Sequence, residues 1–268
     1  MEPDTAAPLA VEVAPGVTTL RLHRPHRRNA LDIATLDLLL AALRDAERRG
    51  DAAVVLTGGD AYFSSGGDVG SMPTAADGLF GAASRLARAH EVIETIGRSD
   101  LVVVAAVEGY AVGVAWGLVL ACDLVVAADD AFFAAPFAAR GLTADGGTAY
   151  HLPRLLGPQR AARHLLLGER LGAVDAAGAG MVSELVPPGT ATVRARATAD
   201  RLAAGPRESN ALTKRLTAHT RAELPAFLAA ERTAVALAGH GRDAAEGRAA
   251  FAAKREPRFT AHDREDRT

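Results

Sequence analysis

Residues 103–123 read VVAAVEGYAVGVAWGLVLACD. The β-branched apolar run over 101–107 reads as a buried strand; it breaks at Glu108-Gly109 into a turn, and the second apolar run reads as a helix. A strand that feeds a small-residue turn into a helix start leaves the N–H groups of the first helical turn unpaired. The peptide dipoles add a partial positive charge there, and Gly113 allows another group to approach the backbone. The stretch is therefore either an anion or oxyanion site or a plain buried strand-turn-helix, and a lone glycine-rich turn does not decide between them.

Working outward, apolar runs over 9–13 and 17–22 flank Pro15-Gly16, a hairpin signal. Residues 32–49 carry Ile33, Leu36, Leu40 and Leu43 at helical spacing, close on Arg48-Arg49 and stop at Gly50. A short buried strand is expected over 53–57, a second small-residue turn at 63–68, a loop at 72–78 and a helix over 79–96 leading into the strand at 101. Downstream, 123–127 and 132–134 read as strands, and 141–148 as a third glycine-rich loop before a helix near His151. This order predicts an α/β domain with parallel strands, whose loops meet in a crevice at the strand C-termini. From about Thr190 the pattern is helical only, over 190–204, 207–220, 225–238 and 242–255, so the chain divides into 1–189 and 190–268. Those helices need a surface for their apolar faces, either the first domain or a neighbouring subunit.

At 268 residues with 49% hydrophobic content the chain can bury a substantial core, and a formal net charge of -2 gives no electrostatic reason for a nucleic-acid or anionic-membrane partner. Cys122 is the only cysteine, which excludes an intramolecular disulfide and a cysteine-rich metal site; no metal is expected. Its place between Leu120 and Asp123 reads as a small buried apolar residue rather than a nucleophile. The opening MEPDTAAPLAVEV lacks a basic region ahead of an apolar core, and no run reaches the roughly 20 apolar residues of a membrane span, so a cytoplasmic protein is expected.

Five blocks in order carry a resemblance. They are RLHRPHRRNALD (21–32), VVLTGGDAYFSSGGDV (54–69), VVAAVEGYAVGVAWGLVLACDLVVAADDAFFAAP (103–136), GLTADGGTAYHLPRLLG (141–157) and FAAKREPRF (251–259). The chain resembles the crotonase superfamily, the enoyl-CoA hydratases and isomerases. That resemblance implies a spiral of ββα units followed by a C-terminal helical oligomerisation region, assembled as a trimer or a dimer of trimers. It also implies an acyl-CoA thioester substrate, with coenzyme A arriving as part of it and no separate cofactor. The enolate oxygen would be held by the backbone N–H groups of Gly67 and of Val114, where family members usually carry another glycine. Each such donor is worth about 10²–10³ in rate. The backbone around Arg28 and Ala30, with Ser65, Gly66, Asp68 and Gly113, would surround CoA and the thioester; Lys254 would reach CoA or be solvated, and the Arg28 side chain likewise. Trp116 would wall the acyl pocket or sit in the core, and Phe137 would line that pocket.

The departures from the family pattern concern its carboxylates. Hydratases of the family use two glutamates to activate water and deliver a proton, and the matching positions here are Gly117 and Phe137, neither of which moves a proton. A two-glutamate hydration mechanism is argued against. Asp145, in a loop where Ala144 replaces a common proline, looks most like the base of phenylacetate-degradation-type enoyl-CoA isomerases. Moving a double bond needs one carboxylate, with a pKa raised from near 3.9 by burial against apolar walls. Asp145 could instead cap the helix that follows it. Hydration, dehydration or thioester hydrolysis with Asp145 and a water, and a non-catalytic acyl-CoA binder, remain as alternatives. Asp123 reads as structural, and Tyr110, Tyr150 and His151 as packing groups.

Overall fold

The computed structural model describes residues 7–71, 81–218 and 223–258. The loop expected at 72–78 lies outside them. Strands β1 (Leu9–Ala14) and β2 (Val17–Leu22) form the expected hairpin, paired antiparallel across the turn at Gly16. Helix α1 (Ile33–Arg49) starts where Asp32 accepts a hydrogen bond from the Thr35 N–H at 2.8 Å, and it ends on Gly50 in the left-handed conformation. Strand β3 (Ala53–Thr57), helix α2 (Gly81–Arg98) and strand β4 (Val102–Val107) follow, then β5 (Tyr110–Val112), helix α3 (Val114–Ala121), β6 (Leu124–Ala128) and β7 (Phe132–Ala134). Next come α4 (Thr148–Leu156), α5 (Pro158–Leu167), β8 (Leu171–Gly172), α6 (Ala173–Gly178) and β9 (Glu184–Val186). The chain closes with α7 (Ala191–Ala203), α8 (Arg207–Ala218), α9 (Leu224–His240) and α10 (Arg242–Ala252).

The main sheet runs β1-β2-β3-β4-β6-β9 and is parallel from β2 onward; β5, β7 and β8 make a second, small sheet. Both faces of the main sheet are covered, which is why β3 and β4 are continuous apolar runs rather than alternating ones. On one face Val54, Leu56, Val103, Ala105 and Val107 join the core beneath α1 and α2. On the other, Ala53, Val55, Val104 and Ala106 pack against Ala191, Ala195 and Ala199 of α7. The late helices thus find their apolar partner within the same chain. Two buried charges fix them there. The Glu108 carboxylate, just after β4, accepts from the N–H groups of Gly189 and Ala191 at 3.0 and 2.8 Å, capping α7 from outside its own segment. Lys214 of α8 donates to the carbonyls of Ile96 and Leu101 and to Asp123, which also accepts from the Val103 N–H; this is the structural role expected of Asp123. Among the described residues no helix is long and apolar enough to cross a membrane.

Candidate active site

Two chain segments with spare N–H groups meet at one cavity. Leu31 donates to the Gly66 carbonyl and accepts from the Asp68 N–H, so the intervening Gly67 turns its own N–H away from Leu31. Ser64 pairs on the other side with β5, which leads directly into α3. There Gly113 caps the helix at φ 60° and ψ -130°, a conformation open to glycine, and the Val114 N–H is the first of the helix. Gly67 and Val114 both line the cavity, together with Ser65, Gly66, Gly113, Phe137 and Asp145. The Phe137 ring lies close beside Gly113. The turn of 63–68 and the start of α3, far apart in sequence, are therefore brought to one cavity.

Asp145 stands at the end of the loop that crosses α3. A Cβ on Gly117 would lie 2.0 Å from the Gly146 carbonyl oxygen, so this loop touches the helix backbone at the position where a glutamate would otherwise project. Oδ1 of Asp145 is buried and has no hydrogen-bond partner among the described residues. Burial above all, with the nearby Glu231 carboxylate, raises its pKa from 3.8 to about 7 against the pull of the Arg85 guanidinium. The capping alternative does not hold. Gly147 is the N-cap of α4, and the Thr148 N–H and hydroxyl donate to the main-chain oxygen of Asp145, leaving its carboxylate unused.

Glu231 escaped the sequence reading, because α9 reads as an apolar alanine-rich helix and nothing local says where its one mid-helix acid points. It is fully packed against α2 and the Asp145 loop. Both of its oxygens lie 3.1 Å from the Gly147 nitrogen, whose N–H they accept, and Oε2 is 2.8 Å from His90 Nε2. Arg85 of α2, also unforeseen, lines the cavity and donates to the Leu31 carbonyl at 3.3 Å. The one available signal was a single acid, followed by Arg232, in the middle of a mostly apolar helical run.

Other expected residues lie elsewhere. Trp116 belongs to the core, stacked on Phe133 of β7 with ring centroids 5.8 Å apart, because this side of the first turn of α3 faces the small sheet rather than the cavity. The Asp68 carboxylate is committed to Arg24 at 3.0 Å and to the Gly70 N–H. The Ala30 carbonyl accepts from Arg24 at 2.5 Å, and Arg28 is exposed, its carbonyl accepting from the Ser65 N–H. Lys254 is exposed just beyond α10 and does not line the cavity. Tyr150 packs under the Arg154 guanidinium and against His151 and Phe227, and Tyr110 stacks with Tyr62, as expected of packing groups. Among the described residues no group of three His, Cys, Asp or Glu is placed to hold a metal.

The family model for enoyl-CoA hydratase/isomerase matches residues 12–262. A probable enoyl-CoA hydratase of Rhodobacter capsulatus is 39% identical over 251 residues, 93% of this chain and 96% of that one. The 1,2-epoxyphenylacetyl-CoA isomerase of Escherichia coli is 34% identical over 92% of this chain and 96% of its own. Among solved structures, an enoyl-CoA hydratase from Mycobacterium avium subsp. paratuberculosis K-10 superposes with a TM-score of 0.84 at 30% identity, covering 95% of this chain and 99% of that one.

Proposed function

The chain belongs to the enoyl-CoA hydratase/isomerase family, with the crotonase fold, and from that premise we propose that it moves the double bond of an enoyl-CoA, with Asp145 carrying the proton. The observation that carries this reading is the unpartnered buried Oδ1 of Asp145, the only carboxylate that lines the cavity among the described residues. In a 3-enoyl-CoA the thioester oxygen accepts from the N–H groups of Gly67 and Val114, which makes the C2 proton acidic. Asp145 takes that proton, the electrons spread over a dienolate, and the same carboxyl returns the proton at C4. The product is the conjugated 2-enoyl thioester. One acid–base group and two fixed donors suffice, with no cofactor beyond the CoA of the substrate.

Hydration of the 2-enoyl thioester by Asp145 and a water is the second reading, favoured by the name of the Rhodobacter relative. Gly117 and Phe137 leave it without the second acid–base group that addition of water uses. Absorbance of the conjugated thioester separates the two: it rises when a 3-enoyl-CoA is isomerised, and it falls when a 2-enoyl-CoA is hydrated. A fall without any rise overturns the isomerase reading.

Because the base must be ionised, kcat/KM for the 3-enoyl substrate should climb with pH through about 7. Glu231→Gln keeps an acceptor for the Gly147 N–H while removing the charge that raises the Asp145 pKa, so the midpoint of that climb should move to lower pH. A pH profile with an unmoved midpoint would show that Glu231 does not act on Asp145. The helices of 190–268 also serve assembly into a homotrimer or dimer of trimers in this proposal, supported by the exposed Val193, Leu212, Leu216 and Leu237 that they carry. Light scattering of the purified chain tests it, and a monomer would refute it.

A further inference from the structure

Among the described residues, two arginines that line the cavity have no acidic side chain as partner. Arg140 sits in the tight turn Ala138–Arg140 and lines the cavity, with its guanidinium over the Phe251 ring. Its Nε is buried and has no hydrogen-bond partner among the described residues, and burial is what acts on its charge, with no acid among those residues to offset it. Arg248 of α10 lines the same cavity and donates only to the Gly239 carbonyl, at 3.2 Å. Helix α10 lies hard against the turn: a Cβ on Gly247 would come within 2.1 Å of the Arg140 carbonyl oxygen. That contact holds the two side chains on neighbouring backbone. Arg85 differs, because Asp145, Asp68 and Asp32 all favour its charge.

A cation withdrawn from water without an anion is costly, so a cavity that holds Arg140 in this way, with Arg248 beside it, is matched to an anion that the ligand brings. Asp145 does not serve, since the arginine that acts on its charge is Arg85. Resting on the acyl-CoA reading above, we propose that the acyl group carries a carboxylate at its far end, recognised by Arg140 and Arg248. A planar guanidinium suits a carboxylate by forming parallel charge-assisted hydrogen bonds, and the apolar lining from Leu142 and Val235 suits the methylene chain between the carboxylate and the thioester. The other anion that an acyl-CoA brings is a phosphate of CoA itself.

Calorimetry with two saturated probes tests the proposal without turnover: the CoA monothioester of hexanedioic acid and the CoA thioester of hexanoic acid. The carboxylated probe is expected to bind about 10- to 100-fold more tightly. Arg140→Met and Arg248→Met should each bring the ratio of the two dissociation constants toward one, with thermal melting confirming that each variant folds. Equal affinities in the wild-type chain overturn the proposal. So does a loss in the variants that is the same for both thioesters and for free CoA, which would assign the arginines to CoA phosphates. Neither probe has a double bond, so the outcome is independent of whether the isomerase reading stands.

Discussion

Asp145→Asn is expected to lower kcat for a 3-enoyl-CoA by about 10²- to 10⁴-fold, the range for loss of a positioned general base. The amide has nearly the same shape, and the N–H groups of Gly67 and Val114 are main-chain atoms that the substitution leaves in place. A saturated acyl-CoA should therefore bind the variant about as well as the wild type. Turnover that survives would remove Asp145 from the mechanism. The same variant carries a signature in stability. Between pH 3.8 and about 7 the folded chain retains a proton on Asp145 that the unfolded chain has released. Stability then falls as pH rises through that window, and above it the wild type bears a buried charge that asparagine lacks. Above pH 7 the variant should melt at a higher temperature than the wild type, and near pH 4 the two should converge. Greater stability with lost activity is the pattern of a group held in place for chemistry.

Gly117→Ala is expected to destabilise the chain by about 3 kcal/mol or more, at or beyond the upper end of overpacking costs, because the added methyl meets a backbone oxygen. The contact is 2.0 Å from Cβ to the Gly146 carbonyl, and neither α3, buried along its whole length, nor the loop it touches has a flexible side chain to move aside. Denaturant unfolding reads the loss. A change below about 1 kcal/mol would mean that the loop gives way easily. The substitution should also cut activity in whatever remains folded, since Asp145 precedes the displaced residue. Gly117→Glu, which restores the residue type that hydratases of the family use, should for the same reason fail to yield hydratase activity.

The framework was legible because its causes are local. The Pro15-Gly16 hairpin, the Gly50 stop and the buried runs of β3 and β4 are written in turn chemistry and periodicity, and each appears where it was expected. Of the elements of two or three residues, β7 was read from its aromatic pair Phe132-Phe133, whereas β5, β8 and β9 carry too little pattern to be read. The two backbone segments at the cavity were legible for a different reason: a glycine turn and a helix start both leave marks in sequence. Trp116 shows the limit, since position along α3 does not say which side of a fully buried helix meets the cavity.

By itself, the sequence determined an α/β fold with glycine turns at 63–68 and 113, no glutamate at 117 or 137, and an acid at 145. Only the tertiary structure decided that, among the described residues, the Oδ1 of this acid is unpartnered and its titration near neutral, that Glu231 from the far end of the chain presses on it, and that Arg140 and Arg248 line the same cavity with no acid paired to them. The physical reason is one of range. Hairpins and caps are settled by neighbours a few residues away, whereas desolvation and charge pairing are settled by whatever the fold brings alongside, here segments more than eighty residues apart in the chain.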